Sequence, residues 1–394
     1  MPIHQTSFSG VKIVIVSLEQ ILNENFNRGH AQVKEKIVKI AMMYENRPPF
    51  VWDSHDANGL GGSENCFIAT AKYLVELGHI VHVFNLTTEY EEFQGGRFKW
   101  ANLANFDPDE SYDVLFSLRH REPFHRRHKA KLKVLFLADT ESYGLGQDVS
   151  QRKIDVVMAV SHWQKEKIDK EEGIHGDHWI VTSNGVDGLM PQLDEKVPGR
   201  CVFIGTPERG LTSLLDIWPE IKANLPYASL DLYSSFVAWD NTLEENEKMM
   251  HDIYERADRM TTLGVRNYRH GNAAEIRATF QKADIYLYPT DFYETCCMSV
   301  LEGAFHGVIP VATGRAALIG KVIPGLTGFD VPAYGVNTPR YNKLFVYKTI
   351  EAITLAPAVK ARYRNNNQLY AMQFHYANLV PAWAKEWEER LAAK

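Results

Sequence analysis

The 394-residue sequence predicts an α/β protein of two doubly wound domains, each with a mostly parallel sheet, facing each other across a cleft. Three observations predict it. Strand-like and helix-like segments alternate from end to end, the pattern of βαβ units whose sheet carries helices on both faces. The length suits two domains at roughly 100–200 residues each. The alternation breaks once, over Gly188–Arg200, where GLMPQLDEKVPGR carries two prolines and no period. That stretch reads as a linker.

The elements follow in order. Val11–Ser17 (VKIVIVS) reads as a buried strand, and Ala31–Tyr44 places Val33, Ile37, Ile40 and Tyr44 at helical spacing. Gly59–Glu64 is a glycine-rich turn, and Asn65–Leu77 a helix stopped by Gly78. Ile80–Asn85, Asp113–Leu118, Lys133–Ala138 and Val156–Val160 are short apolar strands. Past the linker, strands are expected at Cys201–Gly205, Ser229–Tyr233, Val265–His270, Asp284–Tyr288 and Val308–Thr313. Helices are expected at Gly210–Asn224, Leu243–Arg259, Ala273–Ala283 and from about Cys297 or Met298. Tyr376–Lys394 closes the chain as a helix with Trp383 and Trp387 one turn apart, expected to cross back and brace the first domain. The expected division is 1–187, linker 188–200, 201–375, and crossing helix 376–394.

Composition narrows the function. Hydrophobic residues are 45% and charged residues 23%, ordinary for a globular protein. A formal net charge of −6 gives no general footprint for nucleic acid. The four cysteines, Cys66, Cys201, Cys296 and Cys297, lack CxxC spacing, and the histidines form no metal pattern. Buried thiols in a reducing, cytoplasmic compartment are expected. The polar start MPIHQTSFSG reads as no secretory leader, and no apolar run is long enough to span a membrane.

The chemistry concentrates in DFYETCCMSVLEGAFHGVIPV, Asp291–Val311. Glu294 follows a strand on a loop, at the carboxyl edge where open α/β sheets bind ligands. Glu302 lies in the first or second turn of the next helix. Backbone amides at that helix start, those of Cys297, Met298 and Ser299, suit a phosphate. Glu302 can accept two hydroxyl hydrogen bonds from a ribose, and Glu294 those of a sugar attached to the diphosphate. By spacing alone, the plainer reading stands ahead: Glu294 a loop charge and Glu302 a solvated or dipole-pairing helix residue. In GLGGSEN (Gly59–Asn65), Gly61 and Gly62 let backbone come close to a ligand at another helix start, or form a plain turn with Ser63 as cap. Arg209, just before a helix in TPERGLTSLL, can fork onto a diphosphate or lie on the surface.

Together these stretches resemble the retaining glycosyltransferases of family 4, which have the GT-B fold of two Rossmann-like domains. Pro289, Thr290, Glu294, Glu302, Gly307, Pro310 and Val311 match the family's donor-site motif in order. GLGGSEN resembles its phosphate-approaching loop, SNGVD (Ser183–Asp187) the end of its first domain, and TPERG its basic residue before the first helix of the second domain. The likeness covers roughly residues 11–390. It implies transfer of a sugar from a UDP- or GDP-linked donor to a hydroxyl of a glycan, lipid-linked or protein-linked acceptor, by a front-face, metal-independent route with no further cofactor. It implies Glu294 and Arg209 as catalytic residues and Gly61, Gly62, Glu302, Cys297, Met298 and Ser299 as donor-binding.

Three departures stand out. Thr206 occupies the place of the family's second phosphate-gripping base, for which Lys321 or Arg315 is a substitute. Ala138-Asp139 replaces the common His-Asp, leaving Asp139 as a candidate, and Thr295-Cys296-Cys297 replaces Gly-Phe-Gly. His162, at a strand-to-helix junction, is a further candidate for touching the donor, or a capping residue. The run RHREPFHRRHKAKLK, Arg119–Lys133, carries seven Lys or Arg and one acid. It reads as a site for an anionic acceptor or peripheral membrane contact, or as a solvated helix with its flanks. A dehydrogenase would need GxGxxG after the first strand, where LEQILNEN stands instead. A GT-B relative that binds a nucleotide sugar with little turnover is the remaining alternative.

Overall fold

A computed structural model describes residues 7–8, 11–12, 36–45, 49–54, 60–193, 196–235 and 244–394. Met1–Ile37 and Val38–Lys394 are separate units. In the first, β1 (Ser7–Phe8) and β2 (Val11–Lys12) pair antiparallel. The rest of the expected strand Val11–Ser17 lies outside the described residues.

The second unit holds two sheets. The N-terminal sheet uses β3 (Lys39–Met43), β4 (Ile80–Asn85), β5 (Glu91–Phe93), β6 (Phe98–Asn102), β7 (Ser111–Leu118), β8 (Lys129–Phe136), β9 (Val156–Ala159) and β10 (Trp179–Val181). Its order is β10-β9-β8-β7-β3-β4-β6-β5, parallel throughout except for the edge strand β5. Around it run α1 (Gly62–Glu76), α2 (Glu122–His125), α3 (Leu145–Ser150) and α4 (His162–Glu172). The C-terminal sheet, β11 (Arg200–Ile204), β12 (Ser229–Tyr233), β13 (Val265–Arg269), β14 (Ile285–Tyr288), β15 (Ile309–Gly314) and β16 (Phe329–Pro332), is ordered β13-β12-β11-β14-β15-β16. Its helices are α5 (Leu211–Asn224), α6 (Glu244–Arg259), α7 (Ala273–Lys282), α8 (Met298–Phe305), α9 (Leu318–Lys321), α10 (Pro339–Thr354) and α11 (Pro357–Met372); α12 (Tyr376–Ala392) ends the chain. Both sheets reverse direction of growth once, in the 3-2-1-4-5-6 manner, between β3 and β7 and between β11 and β14.

The helix expected over Ala31–Tyr44 is corrected where it is described: Lys39–Met43 is the strand from which the N-terminal sheet grows both ways. The apparent helical spacing is accidental. Ile40 and Met42 pack into one core, Ala41 and Met43 into the other, on opposite faces of the sheet. A run buried on both faces belongs in a central parallel strand and reads as nearly continuous apolar sequence.

Tyr376, Val380, Trp383 and Trp387 of α12 pack in the core between α1 and the N-terminal sheet. Trp387 lies 5.6 Å from the Phe116 ring and Trp383 5.5 Å from Phe136. The chain therefore crosses between the sheets twice, and the crossings touch. Val186 N donates to Phe374 O at 3.0 Å, and Tyr376 N to Val186 O at 3.1 Å. Gly185 has no side chain because a Cβ there would stand 2.8 Å from Phe374 O.

Candidate donor site

The carboxyl ends of four adjacent strands deliver Ile204, Tyr233, Arg269 and Tyr288 to one cleft of about 780 Å³. The start of α8 adds Cys297, Met298, Ser299 and Glu302, and the start of α1 adds Gly61, Gly62 and Asn65. Neither helix has a side-chain cap at its first residues. Both starts therefore carry amides that the helix itself cannot satisfy. The two starts meet closely: a Cβ on Gly62 would stand 2.5 Å from Met298 Sδ. At α8 the chain enters through Cys297 with φ 59°, a left-handed conformation costly for a residue with a Cβ.

Arg209 reaches the cleft from the turn after β11. Gly210 makes that turn at φ 104°, and a Cβ there would lie 2.4 Å from Pro289 O. Arg209 Nη1 donates to Glu294 Oε1 at 2.6 Å, and its guanidinium lies 3.4 Å above the Phe292 ring. Tyr288 Oη donates to the same Glu294 oxygen at 2.7 Å. Burial lowers the Arg209 pKa, but Glu294, Tyr288 and Glu208 outweigh it, and the net direction is upward. Burial and the Glu294 charge push the Tyr288 phenol well up.

Glu302 lies one turn into α8. It is only partly covered, yet the removal of water pushes its carboxyl up to about 7, with Arg277 pulling the other way. No side-chain hydrogen bond to this carboxyl is formed among the described residues. Next to it, burial pushes the His306 imidazole down to about 4, so the ring is neutral at pH 7. Burial also drives the Cys297 thiol well up, which keeps it protonated. Among the described residues, no three His, Cys, Asp or Glu side chains are grouped as metal ligands.

No family model matches the sequence, and no curated protein matches it. Solved structures do match the fold. Sucrose-phosphate synthase from Thermosynechococcus elongatus aligns with a TM-score of 0.67 at 14% identity, covering 91% of this chain and 100% of that one. A glycosyltransferase from Rickettsia africae ESF-5 aligns at 0.66 and 12% identity, over 90% and 98%. HepE from Anabaena, in complex with UDP and glucose, aligns at 0.65 and 14% identity, over 89% and 100%. The chain has the GT-B fold. At these identities the likeness is one of fold.

Within this GT-B fold, Glu294, Arg209, Gly61, Gly62, Glu302, Cys297, Met298 and Ser299 all line one cleft. The other candidates do not. Lys321 Nζ donates to Ser183 Oγ at 2.7 Å, lies 3.9 Å over the Phe374 ring and is buried there. Arg315 lies 4.6 Å over Tyr293 and donates to Asp291 O. Asp139 pairs with Arg119 at 3.0 Å. His162 is exposed at the first residue of α4, where Ser161 supplies the cap.

The basic run Arg119–Lys133 is mostly not helical and is partnered throughout. Only Glu122–His125 within it is helical, and Lys129 onward is strand β8. All seven cations are paired: Arg119 with Asp139, Arg121 with Asp148, Arg126 with Glu45, Arg127 and Lys129 with Asp109, Lys131 with Asp113, and Lys133 with Asp155. These acids lie outside the run, so the sequence window showed seven bases beside Glu122 alone.

Sequence reasoning missed Tyr288, Tyr233, Arg269, Arg277 and Lys72, which also line the cleft. Two signals were available. Tyr233, Arg269 and Tyr288 each end a strand, the position that faces a doubly wound crevice. Lys72 shares one helical face with Asn65 and Ala69. Arg277 had no such signal.

Proposed function

We propose that the protein transfers a sugar from a UDP- or GDP-linked donor to a hydroxyl of a glycan or a protein-linked or lipid-linked acceptor, retaining the anomeric configuration and using no bound metal. The observation that carries this reading is the Arg209–Glu294 pair at the switch point of the C-terminal sheet, beside two uncapped helix starts. In this reading the amides of α1 and α8 and the Arg209 guanidinium take up the charge of the leaving diphosphate. Glu302 accepts the ribose hydroxyls, and Glu294 holds the donor sugar. A carboxylate held by a guanidinium and a phenol is a poor nucleophile. That favours a front-face route, in which the departing phosphate oxygen takes the acceptor proton. HepE, which shares the fold, was solved with UDP-glucose, in keeping with a nucleotide sugar as donor.

Each of the seven cations of that run has an acidic partner, Asp109 serving two of them, which favours a glycan or protein-linked acceptor over an anionic lipid. Four buried thiols without a disulfide fit a cytoplasmic setting. No described helix is long and apolar enough to cross a membrane.

The test is hydrolysis or transfer of UDP- and GDP-sugars followed by proton NMR of the first sugar product. Retention of the donor's anomeric configuration, with loss of about 100-fold or more in Arg209→Ala, is the expected result. One observation favours the second reading, a nucleotide-sugar-binding protein of little turnover: Lys321, offered as the second phosphate-gripping base, is engaged elsewhere. Donor binding without any sugar release would establish that reading instead.

A further inference from the structure

The loop between β14 and α8 touches the two sheets' domains by turns. Phe292 lies under Arg209, and Glu294 accepts from Arg209 and Tyr288; these contacts stay within the C-terminal domain. The residues on either side of Glu294 do the opposite. Tyr293 stacks on Trp163 of α4, ring centroids 5.9 Å apart and planes inclined by 15°. Thr295 Oγ1 donates to Ala138 O, two residues past the N-terminal domain's β8, at 3.1 Å. Next along, the Cys296 thiol lies 3.3 Å from Ser183 Oγ and packs in the N-terminal core. Glu294 itself is held within the C-terminal domain by Arg209, Tyr288 and, through its carbonyl, Ala317 N at 3.1 Å. Both of its chain neighbours touch the other domain, so a shift of that domain bears on where its carboxylate points. Tyr293 is half exposed, so burial of apolar area is a weak reason for an aromatic there. Its contacts give a better one: Trp163 on one domain, and on the other Arg315, itself tied to Asp291 O.

We propose that Trp163 is a positioning residue for Glu294, acting through Tyr293, so that the donor sugar is held only when the two domains are together. The inference rests on the reading of Glu294 as the group that holds the sugar. Trp163 does not line the cleft that the two helix starts and Glu302 line. It therefore bears on the sugar and not on the nucleotide.

The experiment compares affinities for UDP and UDP-glucose, and for GDP and GDP-mannose, by calorimetry, in wild type, Trp163→Ala, Trp163→Phe, Glu294→Gln and Trp163→Ala/Glu294→Gln. Wild type should bind one nucleotide sugar more tightly than its nucleotide diphosphate. Trp163→Ala should leave diphosphate affinity within about twofold and weaken nucleotide-sugar affinity about tenfold, since misplacement by roughly 1 Å is costly to a positioned group. Trp163→Phe should restore most of the loss. In the Glu294→Gln background, Trp163→Ala should add nothing, because residues that act as one unit are not additive. Multiplying losses in the double variant, or equal losses for diphosphate and sugar, overturns the proposal while leaving the donor site standing. If wild type binds neither nucleotides nor nucleotide sugars, the donor-site reading itself fails and the role of Trp163 falls with it.

Discussion

Arg209 and Glu294 are 85 residues apart in sequence and 2.6 Å apart in the cleft. The ion pair joins the turn after β11 to the loop after β14, the two strands at which the sheet reverses direction. Removing the cation leaves a buried carboxylate with Tyr288 as its remaining side-chain donor. Arg209→Ala should therefore lower stability by about 3 kcal/mol. Arg209→Ala/Glu294→Gln, which removes both charges, should recover much of that loss. Denaturant midpoints of the two variants check this. Equal destabilisation in both would mean that the loss comes from packing on Phe292.

Glu302 gives the site a pH dependence. Its carboxyl stands at about 7, above the usual ~4.3 of a glutamate in an unfolded chain. The fold thus prefers the neutral form. The stabilisation is fully present below the unfolded value and is lost as pH rises through 7, amounting to about 1–3 kcal/mol after allowing for solvent at this partly open group. A ribose, in contrast, needs the ionised form as acceptor. Affinity for a nucleotide sugar should rise roughly tenfold between pH 6 and pH 8 as the competent fraction grows. In Glu302→Gln both trends should flatten, in unfolding midpoints and in calorimetry respectively.

Cys297 enters α8 with φ 59°, where a β-branched side chain fits worst. Cys297→Val keeps apolar volume in a well-packed place but should destabilise by about 2 kcal/mol more than Cys297→Gly, which loses the side chain and relieves the backbone. Thermal midpoints of the two decide it. The reverse order would show that side-chain packing, not backbone conformation, rules this junction.

The paired basic run should not draw the protein to an anionic surface. Sedimentation with phosphatidylserine vesicles should leave the protein in the supernatant, and Arg127→Ala and Lys131→Ala should alter neither this nor stability by more than about 0.5 kcal/mol. Salt-sensitive pelleting that these substitutions abolish would restore the run as a membrane contact.

Much of the fold was legible because each unit carries its own local signature. Ile80–Asn85 and Ser229–Tyr233 are strands with the bounds read from the sequence, since short apolar runs between polar turns leave little choice. Lys39–Met43 was misread because burial on both faces erases the alternation that marks a strand. Of the candidate site, the glycine loop and the two glutamates stood out because backbone approach and helix starts leave marks in sequence. The engagement of Lys321 by Ser183, 138 residues away, leaves none. Nor does the pairing of the basic run, whose acids lie outside it in the chain. Long-range partners are chosen by topology, and a window of sequence does not contain them.

The central claim is that this cleft binds a nucleotide sugar through Glu302. The most direct measurement is a thermal-shift panel of UDP, GDP, ADP and their sugars on wild type and Glu302→Ala. A ligand that binds the folded state must raise the melting temperature. The account expects one nucleotide and its sugar to stabilise wild type and to lose that effect in Glu302→Ala. A panel in which no member shifts wild type, or in which Glu302→Ala responds as wild type does, would contradict it.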